Sequence, residues 1–155
     1  MTLSSPIRNG IDTIRLATDA SLPLRVENRW IDGPHSRSSI HGISHALPFL
    51  VDSGEPPALS GQDEAPSPSE HLLHALASSL TESVVVLAAQ WDLDLYAVQT
   101  TVTAVGGFEA LERIEFAVEV DGDAPPDRLS ALVAMAKARS VVLGIVSRGV
   151  TVEVV

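Results

Sequence analysis

Two adjacent serines, Ser78 and Ser79, lie within an alanine- and leucine-rich segment, in PSPSEHLLHALASSLTES at residues 66–83. A serine becomes a nucleophile when a base lies within hydrogen-bonding distance and an oxyanion hole is present. His71 lies two turns back, and His74 lies about 140° around the helix, so neither serves Ser79 within one chain. The sequence has no Gly-x-Ser-x-Gly motif. Ser79 is therefore either a small buried residue that bonds the carbonyl four residues back, or a nucleophile whose base comes from a second chain.

The segment EHLLH raises the question of a metal site. Glu70, His71 and His74 lie within about one helical turn, and His41 and His45 lie in the preceding strand-like region. Zinc sites on helices more often use histidines four residues apart, whereas this pair is three apart. We therefore expect a solvated or dimer-facing histidine cluster and no metal.

Composition limits the possible functions. The 155 residues fit one domain, and a net charge of −10 repels phosphate backbones, so nucleic-acid binding is not expected. The sequence has no cysteine, which removes disulfides, thiolate metal sites and thiol redox chemistry. It has no apolar run near 18 residues and no signal-peptide layout, so we expect a cytoplasmic protein without a membrane span. No cofactor is indicated.

A long helix is predicted from Pro68 to about Gln90. Ser69 is placed to cap its N-terminus, and Glu70 puts negative charge in its first turn. Apolar residues recur at steps of three and four and form one stripe, made of Leu73, Leu76, Leu80, Val84 and Leu87. Ser79 falls on the flank of this stripe, so we expect it to be largely buried.

The remaining elements give an α+β order: a β-meander, the long helix, a β-hairpin, a second helix and a last strand. The proline-rich segment 53–68 is predicted to be a functional or mobile loop. A short strand is possible at Ile11 to Leu16, and Ser140 to Gly144 is predicted to break the second helix. The other predicted bounds are 24–52 for the meander, 96–105 and 111–120 for the hairpin, 126–138 for the second helix and 150–155 for the last strand.

Three stretches together resemble the OsmC/Ohr family. PALSGQDEAPSPSEHLLHALASSL resembles the family's signature region, a proline-serine-proline start of an alanine-rich helix. TVTAVGGFEALERIEFAVEVDGDAPPDRLSALVAMAKA resembles the following hairpin and second helix, and ARSVVLGIVSRGVTVEV resembles the closing helix-turn and final strand. The resemblance covers about residues 25–155, and residues 1–24 form an N-terminal extension or a first strand of the same single domain, 1–155.

The resemblance implies an OsmC-like α+β fold, with antiparallel sheets packed around two central helices. It also implies an intertwined homodimer whose pockets lie at the subunit interface. Active family members reduce peroxide or organic hydroperoxides with two cysteines. An arginine from the N-terminal strands and a glutamate at the start of the helix hold the reactive thiolate.

This chain departs from the family pattern at each cysteine. The first cysteine position falls on Ser79, and the second falls on Ser140. A serine hydroxyl is a far weaker nucleophile than a thiolate and cannot pass through a sulfenic acid and a disulfide. Peroxide reduction by the family mechanism is therefore expected to be absent.

The other family positions are also altered or uncertain. The family's acid position falls on Ser69, with Glu70 one residue further on. The family's arginine corresponds to either Arg29 or Arg37, because loop lengths differ. We expect Arg29, Arg37, Glu70 and His74 to be the binding residues of the pocket.

These observations lead to a hypothesis of a cysteine-less OsmC-like homodimer that binds a small apolar or weakly acidic organic molecule in its interface pocket. One alternative is an enzyme of altered chemistry, such as a hydrolase that uses Ser79 with groups from the partner subunit. Another is a structural or interaction protein whose pocket is filled.

Overall fold

The computed structural model describes residues 24–42, 46–106, 111–149 and 152. It divides into two compact units: one covers the described residues up to Leu72, and the other begins at Leu73. The described residues form two antiparallel sheets, three α-helices and one short 3-10 helix, which confirms the α+β prediction. The predicted strands at Ile11 to Leu16 and at 150–155 lie outside the described residues, apart from Val152.

The first unit contains a three-stranded antiparallel sheet. Its strands are β1 (Arg25–Asp32), β2 (His35–His41) and β3 (Phe49–Ser53), in the order β1-β2-β3. Gly33 makes the turn between β1 and β2 with a φ of 45°, a left-handed conformation that suits glycine. The predicted meander is therefore confirmed, with pairing between sequence neighbours.

The segment between β3 and the long helix folds back on itself. A 3-10 helix covers Pro57–Leu59, and the Gly54 amide donates to the Pro66 carbonyl at 3.2 Å. Position 61 requires glycine, because a Cβ there would clash with the Glu55 carbonyl oxygen at a distance of only 1.6 Å. The predicted loop is thus a compact turn structure with one short helix.

The long helix, α1, covers Pro68–Gln90, with the predicted end. Its cap differs from the prediction: Ser67, not Ser69, precedes the first turn. The Glu70 amide donates to the Ser67 hydroxyl at 3.3 Å, and the Glu70 carboxylate accepts from the Ser67 amide at 2.7 Å. This reciprocal pair is a capping box, and Pro68 between them occupies the first helical position, where a missing amide proton costs nothing.

The second unit contains a hairpin followed by two helices. The elements are β4 (Leu95–Gly106), β5 (Leu111–Gly122), α2 (Pro126–Arg139) and α3 (Val141–Arg148). The predicted break over Ser140 to Gly144 is wrong in extent, because only Ser140 is non-helical and α3 starts directly after it. The Ser140 hydroxyl accepts a hydrogen bond from the Leu143 amide and caps α3.

The core of the second unit lies between α1, the start of β4 and α2. Its buried side chains are aliphatic, as the low aromatic content requires: Val84, Leu87, Ala88, Leu93, Leu95, Leu132 and Ala136. Alanine and leucine side chains of both α1 and α2 therefore belong to one buried cluster. This packing sets the position of the residues at the end of α2 relative to the middle of α1.

By length and composition alone, α1 is apolar enough to cross a membrane, with a mean hydropathy of 1.6 over 18 residues. The bent pair of α2 and α3 passes the same test when it is taken as one span. A core helix of a soluble protein also has this composition, and the buried face of α1 packs against β4 and α2. Within the described chain 33% of this window is buried, so the core accounts for part of the apolar character of α1.

Candidate functional site

The hydroxyls of Ser79 and Ser140 lie together in the second unit. Their Oγ atoms are 2.9 Å apart, a hydrogen-bonding distance, although the residues are 61 positions apart in the sequence. Ser140 is 4% exposed and is the only buried polar side chain among the described residues. Ser79 is half-buried within this single chain, less than the large burial expected, and its neighbour Ser78 is exposed.

The hydrogen bonds around this serine pair connect three helices. Ser140 accepts from the Leu143 amide of α3 at 3.3 Å while its hydroxyl contacts Ser79 of α1. Ser83 donates to the Ser79 carbonyl at 2.7 Å. The expected bond from Ser79 to the carbonyl four residues back is therefore replaced by a bond to Ser140, and it is Ser83 that makes such a backbone contact.

No described histidine pairs with Ser79. The Nε2 atom of His71 lies 2.9 Å from the Asp52 carbonyl oxygen, and His74 is exposed on α1. The hydroxyl of Ser79 has the hydroxyl of Ser140 as its partner, and a hydroxyl is not a general base at neutral pH. Within the described chain the geometry of a serine hydrolase is not assembled.

The two candidate arginines have different environments. Arg37 on β2 forms a two-pronged ion pair with Asp52 on β3, with Nε–Oδ1 and Nη2–Oδ2 distances of 2.5 and 2.7 Å. The hydrogen bond from Arg37 is the main cause that lowers the pKa of Asp52 to about 2, and the same pair raises the pKa of Arg37. Arg29 lies opposite Arg37 in the sheet register and is exposed. Arg37 is thus held by Asp52, whereas Arg29 has no carboxylate within ion-pair distance among the described residues.

The residues at the start of α1 have a structural role. Ser69 is exposed in the first turn, and the Glu70 carboxylate accepts from both the amide and the hydroxyl of Ser67. Both hydrogen bonds lower the pKa of Glu70, and the bond from the Ser67 backbone amide has the larger effect. Glu70 therefore caps the helix, and its carboxylate is kept charged by the chain itself.

No sequence pattern indicated the cluster of three carboxylates around His35. Its Nδ1 atom lies 3.5 Å from Asp32 and 3.4 Å from Glu64, and its Nε2 atom lies 3.3 Å from Asp52. The Nε2 atom of His35 is buried without a hydrogen-bond partner among the described residues, so the contact with Asp52 lacks good hydrogen-bond geometry. Because these carboxylates come from β1, β3 and the segment before α1, His35 ties that segment to the sheet.

The histidines considered for metal binding are spread over separate contacts. His41 lies 3.2 Å from the Glu27 carboxylate, and His45 lies outside the described residues. In the part of the chain that the structure describes, no three His, Asp or Glu side chains are arranged to hold a metal ion.

The chain is similar to known proteins at the level of family and fold. A family model described as OsmC-like protein matches residues 61–155. No curated protein matches the chain. Three solved structures share its fold. Their sequence identities to this chain are low, so they show a likeness of fold alone.

The first of these is a putative osmotic stress induced and detoxification response protein from Psychrobacter arcticus, with a TM-score of 0.66 and 14% identity, covering 80% of this chain and 88% of that one. An OsmC like protein from Mycoplasma pneumoniae has a TM-score of 0.65 and 12% identity, with 83% and 90% covered. An organic hydroperoxide resistance protein from Legionella pneumophila has a TM-score of 0.61 and 16% identity, with 86% and 96% covered.

The Arg37–Asp52 pair predicts acid sensitivity. Since the folded pKa of Asp52, about 2, lies below its ordinary 3.8, the unfolded chain takes up the proton first as the pH falls. The pair's contribution to stability is therefore present above pH 3.8 and is lost between 3.8 and about 2. Urea unfolding at about pH 6 and about pH 2.5 should show a smaller stability loss for Asp52→Asn than for the wild type.

The control for this measurement is Asp121→Asn, which removes an exposed aspartate of the other unit. Its acid-induced loss should match that of the wild type. An equal loss in Asp52→Asn and wild type would show that the ion pair does not stabilise the fold.

The 2.9 Å contact predicts that cysteines at the two serine positions will cross-link. In Ser79→Cys/Ser140→Cys the longer carbon–sulfur bonds bring the sulfurs towards a disulfide length of about 2.05 Å. Mild oxidation should yield a monomeric chain lighter by two hydrogens, detected by intact mass without reductant.

Ser78→Cys/Ser140→Cys is the matched control, because Ser78 is exposed and lies about 100° around the helix from Ser79. It should stay reduced or form only intermolecular links. Equal cross-linking in both double variants would contradict the geometry described here.

Proposed function

The chain belongs to the OsmC-like protein family, and from that premise we propose that it binds a small organic molecule beside Ser79 and Ser140 without thiol peroxidase chemistry. The observation that carries the proposal is the hydroxyl pair itself, with its 2.9 Å Oγ–Oγ distance. By the family resemblance, these residues take the places of the two redox cysteines. The contact supports the pairing of the two positions independently of the sequence match.

The chemistry of the pair argues against peroxide reduction. A thiolate attacks a peroxide oxygen, becomes a sulfenic acid and then forms a disulfide with a second thiol. A serine hydroxyl has no accessible counterpart to these steps, and the 155-residue sequence contains no cysteine. This chain therefore has no thiol that could supply the electrons for converting an organic hydroperoxide to an alcohol.

The same pair is suited to binding. Together, two hydroxyls can accept and donate a hydrogen bond. Ser79 lies on α1 and Ser140 lies between α2 and α3, and the buried side chains of α1 and α2 include leucine and alanine. Small-molecule sites commonly combine an apolar lining with a few placed polar groups. A molecule with an apolar body and one hydroxyl or hydroperoxide group fits this chemistry.

The exposed apolar surface next to Ser140 supports a homodimer. None of the eight residues of α3 is buried, although six of them are apolar or glycine. Val141 is 71% exposed and Ile145 is 44% exposed. Exposed apolar surface of this kind on a soluble chain favours contact with another chain, and we propose a second copy as the partner. The partner would then help to enclose the space beside the serine pair.

The proposal predicts that ligand binding depends on both the serine position and the partner. We use 2-phenyl-2-propanol as the probe, an alcohol with a compact apolar body. Calorimetry should show saturable binding to the wild type and an affinity at least about ten-fold lower for Ser79→Leu, because the larger side chain overlaps the probe. Light scattering should give the mass of two chains for the wild type, and Ile145→Glu should be monomeric and should lose the probe.

Two control variants separate these effects from general damage. Ser78→Leu adds the same bulk at an exposed neighbour, and Ser147→Glu adds the same charge on α3; both should dimerise and bind as the wild type does. A monomeric wild type at micromolar concentration would overturn the dimer. Unchanged probe affinity in Ser79→Leu would overturn the binding site.

A further inference from the structure

A concave surface lies in the second unit, between β5 and α2. It has a volume of about 580 Å³ and is lined by Val118 and Val120 of the strand and by Leu129, Val133 and Lys137 of the helix. The strand residues alternate, so they share one sheet face, and the helix residues recur at four-residue steps. All four aliphatic side chains are only partly buried. We call this surface the β5–α2 groove.

The groove has a single cation at one end. Lys137 is the only lysine of the sequence, and its Nζ atom lies over the ring of Phe116, 5.3 Å from the ring centroid. Across the described ranges 24–42, 46–106 and 111–149, no carboxylate lies within ion-pair distance of Lys137. Among the described arginines, Arg25, Arg37 and Arg113 have carboxylate partners. The described arginines without one are Arg29, Arg128, Arg139 and Arg148, and none of them lines the groove.

The lack of a described carboxylate partner for Lys137 matters for anion binding because the chain is acidic. With 20 acidic and 10 basic side chains, the general field of the protein repels anions. An anion drawn to the groove therefore needs a local cation that no carboxylate of the described chain neutralises. Lys137 meets this requirement, and the aliphatic walls beside it offer burial for an apolar body.

We propose that the β5–α2 groove binds an organic carboxylate with an extended apolar body. The carboxylate lies on the Lys137 ammonium group, and the apolar body lies along Val118, Val120, Leu129 and Val133. The volume lies within the range of small-molecule sites. The helix stripe from Pro126 to Lys137 spans about 16 Å at the helical rise of 1.5 Å per residue, which accommodates a medium-length chain.

This site is independent of the serine pair. Its residues come from β5 and one face of α2, whereas Ser79 lies on α1 and Ser140 follows the end of α2. Binding in the groove therefore does not require the function proposed for the serines. Each site has its own variants, so failure of one proposal leaves the other to be judged on its own result.

The test uses decanoate as the probe and decanol as its uncharged match. Binding is followed by calorimetry, and the site is located from the chemical-shift changes of the valine and leucine methyl groups. Decanoate should bind the wild type saturably, with the largest shifts at Val118, Leu129 and Val133. Lys137→Gln should weaken decanoate roughly ten-fold, the effect of losing one charge-assisted contact, and should leave decanol unchanged.

Arg113→Gln is the matched control, because it removes one positive charge at an exposed position of β5, the strand that lines the groove. It should bind decanoate as the wild type does. A second variant, Val133→Asp, places a carboxylate within the groove and should weaken decanoate more than decanol. It provides an independent readout if Lys137→Gln does not fold.

Three results would overturn the proposal. The first is the absence of saturable decanoate binding to the wild type, which includes the case in which a partner chain covers the groove. The second is equal decanoate affinity in the wild type, Lys137→Gln and Val133→Asp. The third is that the shifts occur around Ser79 and Ser140 and not along β5 and α2.

Discussion

The aliphatic core that α1 and α2 share is the constraint on which the candidate site depends. Leu87 and Ala88 of α1 lie in one buried cluster with Leu132 and Ala136 of α2, and each of these residues has less than 3% of its surface exposed. Because α2 ends at Arg139, this packing carries Ser140 to the middle of α1 and brings its hydroxyl to Ser79. The serine contact therefore joins α1 to the residue that follows α2, and the two helices also share this aliphatic core.

Two serines, Ser79 and Ser140, form the contact pair of the candidate site, and their hydroxyls limit the chemistry that the site can perform. Under the proposed function, Ser79 and Ser140 stand where two cysteines would form a nucleophile and a resolving thiol. Two serines at contact distance give a polar pair within an apolar surrounding, with no redox capacity. The altered pair does not cost the fold a buried unsatisfied group, since Ser140 also caps α3 and Ser79 bonds Ser140.

Local sequence signals predicted the elements well. Apolar spacing gave the C-terminal end of α1, and alternation gave the two strands of the hairpin to within two residues. The cap of α1 was misplaced because serines lie on both sides of Pro68, and only the spacing to Glu70 selects Ser67. Gly144 and the valines of α3 suggested a break, but the cap by Ser140 and the apolar sequence after it form a helix.

The site was less predictable than the elements. The family resemblance assigned Ser79 and Ser140 to related positions, but their contact spans 61 residues and depends on helix packing. The pairing of Arg37 with Asp52 depends on strand register, and the His35 cluster depends on how the segment before α1 folds back. Charge clusters formed by residues distant in sequence leave no periodic pattern, which is why the sequence did not indicate them.

The central claim is that this OsmC-like chain has lost thiol-dependent peroxide reduction. The most direct measurement is the consumption of cumene hydroperoxide by purified protein with excess dithiothreitol, relative to a protein-free blank. The account predicts a rate equal to the blank and a chain mass without sulfenic acid or disulfide, since the sequence has no cysteine. Repeated turnover above the blank, abolished in Ser79→Ala, would contradict it.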